Sequence, residues 1–110
     1  MPNTYKVLGQ AAPTASATLT TLYTVPAGTS AVISTLTAAN LASTAGTFRI
    51  AVRPAGASIA NQHYVSFDTS LGGNDTITLS LGVTVAATDV VSVYAGSTNF
   101  AFQAYGVEIT

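Results

Sequence analysis

Charge is what this chain has least of. Its 110 residues include three Lys or Arg and four Asp or Glu, for a formal net charge of −1. Free-standing domains keep roughly a quarter to a third of their surface charged, so that copies repel one another in a crowded solution. Little of that protection exists here, and the implied exterior is one that other subunits cover. Cysteine and tryptophan are also absent. Without thiols there is no disulfide framework and no thiolate metal site, so packing and backbone pairing must hold the fold. No apolar run approaches the ~18 residues of a membrane helix, and Met1-Pro2-Asn3-Thr4-Tyr5-Lys6 lacks a basic start followed by an apolar stretch. Neither a membrane partner nor export by a standard signal is expected. Lys6, Arg49 and Arg53 are too few to neutralise the ~6–10 phosphates that a typical DNA binder contacts, which argues against nucleic acid.

What is present is a 48% apolar chain whose polar remainder is mostly serine and threonine in alternating runs. Its length suits one domain spanning residues 1–110. Tyr5 to Leu8 reads as a short first strand, and 10–17, with its alanines and Pro13, as a loop or arm. Thr18 to Val25 favours strand, and Pro26-Ala27-Gly28-Thr29 closes it as a turn. Ala31 to Ala39 alternates, as does Thr47 to Arg53, where Phe48, Ile50 and Val52 point one way and Arg49, Ala51 and Arg53 the other. In Gln62 to Asp68, the phase puts His63, Val65 and Phe67 on the core side and Tyr64 opposite. Asp75 to Leu81, Gly82 to Ala86 and Val90 to Ala95 follow as strands.

The last strand, Phe100 to Ile109, carries a phase conflict. Phe100 and Phe102 share one face and Tyr105, Val107 and Ile109 the other, so five core residues would require a bulge near Ala104, which Gly106 could supply. About eight short strands, separated by turn signals and free of any useful helical stretch, predict an all-β antiparallel β-sandwich of jelly-roll or Ig-like type.

Chemistry-bearing constellations are sparse. His63 is the only imidazole, in phase with apolar neighbours, and reads as a packed structural residue rather than a base. Asp68, Asp75 and Asp89 each border a strand beside turn residues, where aspartate bonds to its own turn. Leu71-Gly72-Gly73-Asn74 lacks the Lys-Ser/Thr of a phosphate loop. No enzyme, cofactor or metal is expected. Arg49 and Arg53, on one face of a strand, dominate the local field of so neutral a chain. They serve either as interface groups or in pairing with Asp68 or Glu108. Tyr64 and Tyr94 complete the candidate interface, as subunit-contact aromatics or as part of a glycan-binding patch.

The stretch Leu22-Tyr23-Thr24-Val25-Pro26-Ala27-Gly28-Thr29, followed by Ala31 to Leu36 and by Thr47-Phe48-Arg49-Ile50-Ala51-Val52-Arg53-Pro54-Ala55-Gly56, resembles small virion structural proteins of tailed bacteriophages, cyanophages especially. Asn74-Asp75-Thr76-Ile77 and Ala87-Thr88-Asp89-Val90-Val91-Ser92-Val93-Tyr94-Ala95 extend the likeness, which runs from about Tyr5 to Ile109. The resemblance implies either a capsid cement (decoration) protein or a part of the tail and its fibres, and it brings no catalytic residues. The leading expectation is a cement protein of the virion, assembled in the host cytoplasm. It would associate with itself as a homotrimer and clamp the major capsid protein. The alternative is a tail-fibre or baseplate module contacting host glycan, or another tail protein, through Tyr64, Tyr94 and the loop Pro54 to Ala60.

Overall fold

A computed structural model describes residues 3–80 and 82–110. Nine strands follow one another: β1 (Asn3–Ala11), β2 (Thr18–Thr24), β3 (Ser30–Asn40), β4 (Gly46–Arg53), β5 (Tyr64–Leu71), β6 (Thr76–Leu79), β7 (Val83–Val85), β8 (Val90–Ala95) and β9 (Phe100–Ile109). Single 3-10 turns at Pro54–Gly56 and Asn61–His63 lie between β4 and β5. Sheet I has the order β1-β9-β3, with β6 and β7 both on the far side of β3; sheet II has the order β2-β8-β4-β5. All pairings are antiparallel. Since β6 pairs with Leu36–Ala39 and β7 with Ala31–Ile33, the two are halves of one interrupted edge strand. Counted that way, the sandwich has eight strand positions, four in each sheet, against the roughly eight expected. Leu81, expected as the last inward residue of the first half, lies outside the described residues.

The route between sheets decides between the two sandwich types. The chain crosses from β1 in sheet I to β2 in sheet II, returns for β3, and crosses again for β4 and β5. An Ig-like fold would keep its first two strands in one sheet. This is jelly-roll wiring. β1 continues through Gln10 and Ala11, and the connection to β2 spans 12–17, with Pro13 buried and the Ala17 N–H donating to the Ala95 carbonyl at 2.8 Å.

The core lies between the sheets. Phe48 from sheet II meets Phe100 and Phe102 from sheet I with ring centroids 6.2 Å apart, and Ile33, Leu36, Ile50, Val91 and Val93 pack around them. Each such side chain contributes roughly 1.5–3 kcal/mol by leaving water. The phase conflict in β9 is resolved differently from the expectation. β9 alternates without interruption: Phe100, Phe102 and Ala104 are buried, and Tyr105, Val107 and Ile109 stay half-buried on the outer face. The extra residues sit in both neighbours, Leu8 in β1 and Ser34 in β3, each opposite the step from Ala104 to Gly106. β3 therefore changes phase, burying Ala31 and Ile33 before the bulge and Leu36 and Ala38 after it. Gly106 is required by the neighbour's bulge, because a Cβ there would run into the Val32 carbonyl oxygen.

Each end of the sandwich is tied by one polar side chain. At one end, buried Asn40 donates from Nδ2 to the carbonyls of Thr44 (2.9 Å) and Leu71 (3.2 Å) and accepts from the Ala42 N–H at 3.0 Å. Backbone bonds from Leu41 to Asn99 and from Asn74 to Ala42 join loops 41–45, 72–75 and 96–99 around it. At the other end, Asp89 accepts from the N–H groups of Ala55 (2.8 Å) and Ala86 (2.9 Å); its carbonyl also accepts from the Val25 N–H, and the Val25 carbonyl accepts in turn from the Thr88 N–H.

Candidate functional site

The outer face of sheet II collects the aromatic and cationic residues. Arg49 of β4 stands in register with Tyr94 of β8, which neighbours Leu19 of β2; one row along, Ala51 lies between Ser92 and Tyr64. The Arg49 guanidinium packs 4.2 Å from the Tyr94 ring centroid, 4.0 Å from Phe67 and 5.9 Å from Tyr64. Its Nε and Nη2 donate to the two carboxylate oxygens of Asp68 at 2.7 and 3.2 Å. This fork-to-fork pair holds the Asp68 carboxyl below its usual range and raises the guanidinium further above its own.

Three of the four candidate interface residues, Arg49, Tyr64 and Tyr94, thus converge. Arg53 does not join them. Its Nε donates to Ser92 Oγ at 3.2 Å and its Nη1 to the Ala57 carbonyl at 3.1 Å, tying the loop after β4 back over the sheet.

β5 departs from the expected phase. Phe48 faces Thr69 and Ile50 faces Ser66, so Phe67 and Asp68 together oppose Arg49; a second irregularity leaves Val65 unpaired. Asp68 takes φ = 49°, a left-handed conformation for which aspartate is among the better-suited residues. The consequence is that Val65 and Phe67, expected in the core, are exposed, and that Phe67 and Tyr64, expected on opposite faces, meet edge to face at 4.8 Å. Asn61, Tyr64 and Phe67 line an open groove of about 270 Å³. His63 serves the adjoining turn: its Nδ1 accepts from the Ala60 N–H at 3.1 Å, and its own N–H donates back to the Ala60 carbonyl. Sequence reading left Arg49 and Arg53 between an interface role and pairing with Asp68 or Glu108, of which the structure gives Arg49 the partner Asp68; it missed Asn61 and Phe67. The signal available was an aspartate inside an otherwise regular alternation.

A second polar cluster bridges the sheets. Buried Tyr23 of β2 donates to Glu108 of β9 at 2.6 Å, and Lys6 of β1 approaches the other carboxylate oxygen at 3.1 Å. The Tyr23 bond, then the Lys6 ammonium, hold the Glu108 carboxyl low; burial, then its bond to Glu108, pushes the Tyr23 phenol up. A carboxyl depressed by folding adds stability that is complete above its unfolded value, about 4.3, and disappears as pH falls through the lower folded value. Tyr23→Phe leaves that carboxylate without its donor and is expected to cost roughly 1.5–3 kcal/mol near neutrality. The deficit should shrink on acidification through the glutamate range, as chemical denaturation at a series of pH values would register. A deficit independent of pH would contradict this.

No protein-family model matches the chain, and a search of curated proteins finds no match. Among the described residues, no three His, Asp or Glu side chains gather where they could hold a metal ion.

Proposed function

We propose that the protein is a virion structural subunit of a tailed phage, an outer capsid cement protein that associates as a trimer and clamps the major capsid protein. One observation carries this reading: every charged side chain is committed within the chain. Lys6 pairs with Glu108 and Arg49 with Asp68; Arg53 holds a loop, while Asp75 and Asp89 accept from backbone N–H groups at strand ends. With four charges joined in two internal ion pairs and the other three hydrogen-bonded to neutral groups of the chain, such a surface loses water at lower cost than an ordinary charged exterior. The resemblance to small virion proteins of tailed phages supports the same reading.

The contact face is the outer side of sheet I. Tyr5 (80% exposed) and Val7 (46%) of β1 lie in register with Val107 and Tyr105 of β9, and Val107 with Val32 of β3. Aromatic and β-branched side chains there form rows uninterrupted by charge. A standard contact covers about 800 Å² per partner, roughly a seventh of the 5383 Å² surface of this chain. Many copies on one shell make each contact hard to lose, because a released edge re-engages before its neighbours let go.

Imaging of intact particles tests the assignment. Density for the chain is expected on the outer shell, with sedimentation of the purified protein at three times its monomer mass. Density confined to the tail, or a monomer that ignores emptied shells at high concentration, would overturn it.

A further inference from the structure

The bulge in β5 does something that packing alone does not require. Regular alternation would send either Phe67 or Asp68 into the core; the left-handed turn at Asp68 brings both to the outer face, side by side. Phe67 is left 54% exposed on a chain whose other phenylalanines are buried. The ring is nonetheless held fast, with the Arg49 guanidinium at 4.0 Å and the Tyr64 ring at 4.8 Å, 83° to it. Immobilised aromatic surface next to fixed hydrogen-bonding groups is preorganised for a ligand, since little side-chain freedom remains to be lost on binding.

The chemistry of the groove selects the ligand. Its walls are the Phe67 and Tyr64 rings, with Asn61 supplying an amide that both donates and accepts. Asp68 and Arg49 border Phe67. The carboxylate uses one lone pair on each oxygen for Arg49, and the Nη1 of Arg49 is not used in that pair. Because those two charges cancel, neither a cation nor an anion gains from them. A strand-like peptide fits poorly, since two irregularities break the free edge of β5 that it would have to pair with. What matches is a neutral ligand with a C–H face for the rings and adjacent hydroxyls for paired donors and acceptors. The geometry points to a binding site for a neutral hexose of a surface glycan, seated among Asn61, Tyr64 and Phe67 with Asp68 and Arg49 as its polar rim. The site is independent of the shell contact, which uses the opposite sheet.

The test is titration of the isotope-labelled full chain with the methyl glycosides of mannose, galactose and glucose and their oligosaccharides, with glucuronic acid and sialyllactose as anionic counterparts. At least one neutral sugar is expected to shift the amide signals of Asn61, Phe67 and Asp68. Phe67→Ala should weaken that binding by about tenfold or more, as loss of an aromatic anchor does. Tyr5→Ser, on the other sheet, should leave it unchanged. Asp68→Asn, which leaves Arg49 without its counter-charge, should move the preference toward glucuronic acid. Silence from every neutral sugar, shifts mapping elsewhere, or an anionic sugar preferred by the unaltered chain would each overturn the proposal. So would Phe67→Ala weakening attachment to emptied shells instead, which would make this face a protein contact. The sugar titrations themselves leave open whether the chain lies on the shell, so their failure and the failure of the shell assignment are told apart.

Discussion

Replacing Tyr5 and Val7 together by aspartate is expected to leave the sandwich folded while self-association and attachment to emptied shells each fall by about a thousandfold or more. Both side chains point out of sheet I into solvent, one 80% and the other 46% exposed, so the isolated chain loses little. Exposed substitutions of this kind usually change stability by no more than about 0.5 kcal/mol. In the proposed assembly the same positions are covered, and two carboxylates would have to leave water without partners. The effective penalty is several kcal/mol per ion, and about 1.4 kcal/mol already means a factor of ten. A control separates this from a general charge effect: Thr21→Asp, on the exposed outer side of sheet II, adds a charge of the same sign away from the proposed contact. Sedimentation and co-pelleting with emptied shells report both variants. Unchanged attachment of the double variant would remove the outer side of sheet I from the interface.

The same outer faces show where local sequence pattern carries the structure and where it stops. Alternation and turn residues were enough for the strands and for the all-β sandwich, because a strand's two faces and the chemistry of Pro26-Ala27-Gly28-Thr29 are local properties. The choice of jelly-roll over Ig-like wiring was not legible, since it depends on which strands pair after each crossing. In β9 the conflict between Phe102 and Tyr105 was visible, but its resolution lies in Leu8 and Ser34, residues distant in sequence that supply the bulges. β5 misled for a related reason: one left-handed residue, Asp68, reverses the phase of Phe67, and the one local sign of it is an aspartate in an otherwise alternating window. Arg49 and Arg53 do share a strand face, as their spacing requires. Their destinations differ because Arg49 meets the bulge and Arg53 the returning loop, and both are tertiary facts.

Asn40 offers the sharpest test of what keeps these faces in place. It is buried at 2% exposure, and its amide gives two hydrogen bonds to carbonyls and takes one from an N–H. Asn40→Ala removes all three and strands the Leu71 carbonyl in the interior, for an expected loss of roughly 2–4 kcal/mol. Asn40→Asp should be worse at neutral pH, by roughly 3–5 kcal/mol relative to the natural chain, because the donor becomes an anionic oxygen facing two carbonyls. The two variants differ in their dependence on pH. Burial and those carbonyls raise the folded pKa of the new carboxyl above its unfolded value of about 3.9, so between the two values the native state binds more protons. Stability then falls as pH rises through that window, and the deficit is smallest below it, where the protonated acid can again donate to Leu71. The alanine deficit has no such dependence once the shared contributions of Glu108 and Asp68 are subtracted. Denaturant unfolding of both variants and the natural chain across the acid range measures the difference. Hydrogen exchange should show the loss first in loops 41–45, 72–75 and 96–99, which close around this side chain. An aspartate variant whose deficit stays flat with pH would mean that the amide's donor side is not what holds that end together.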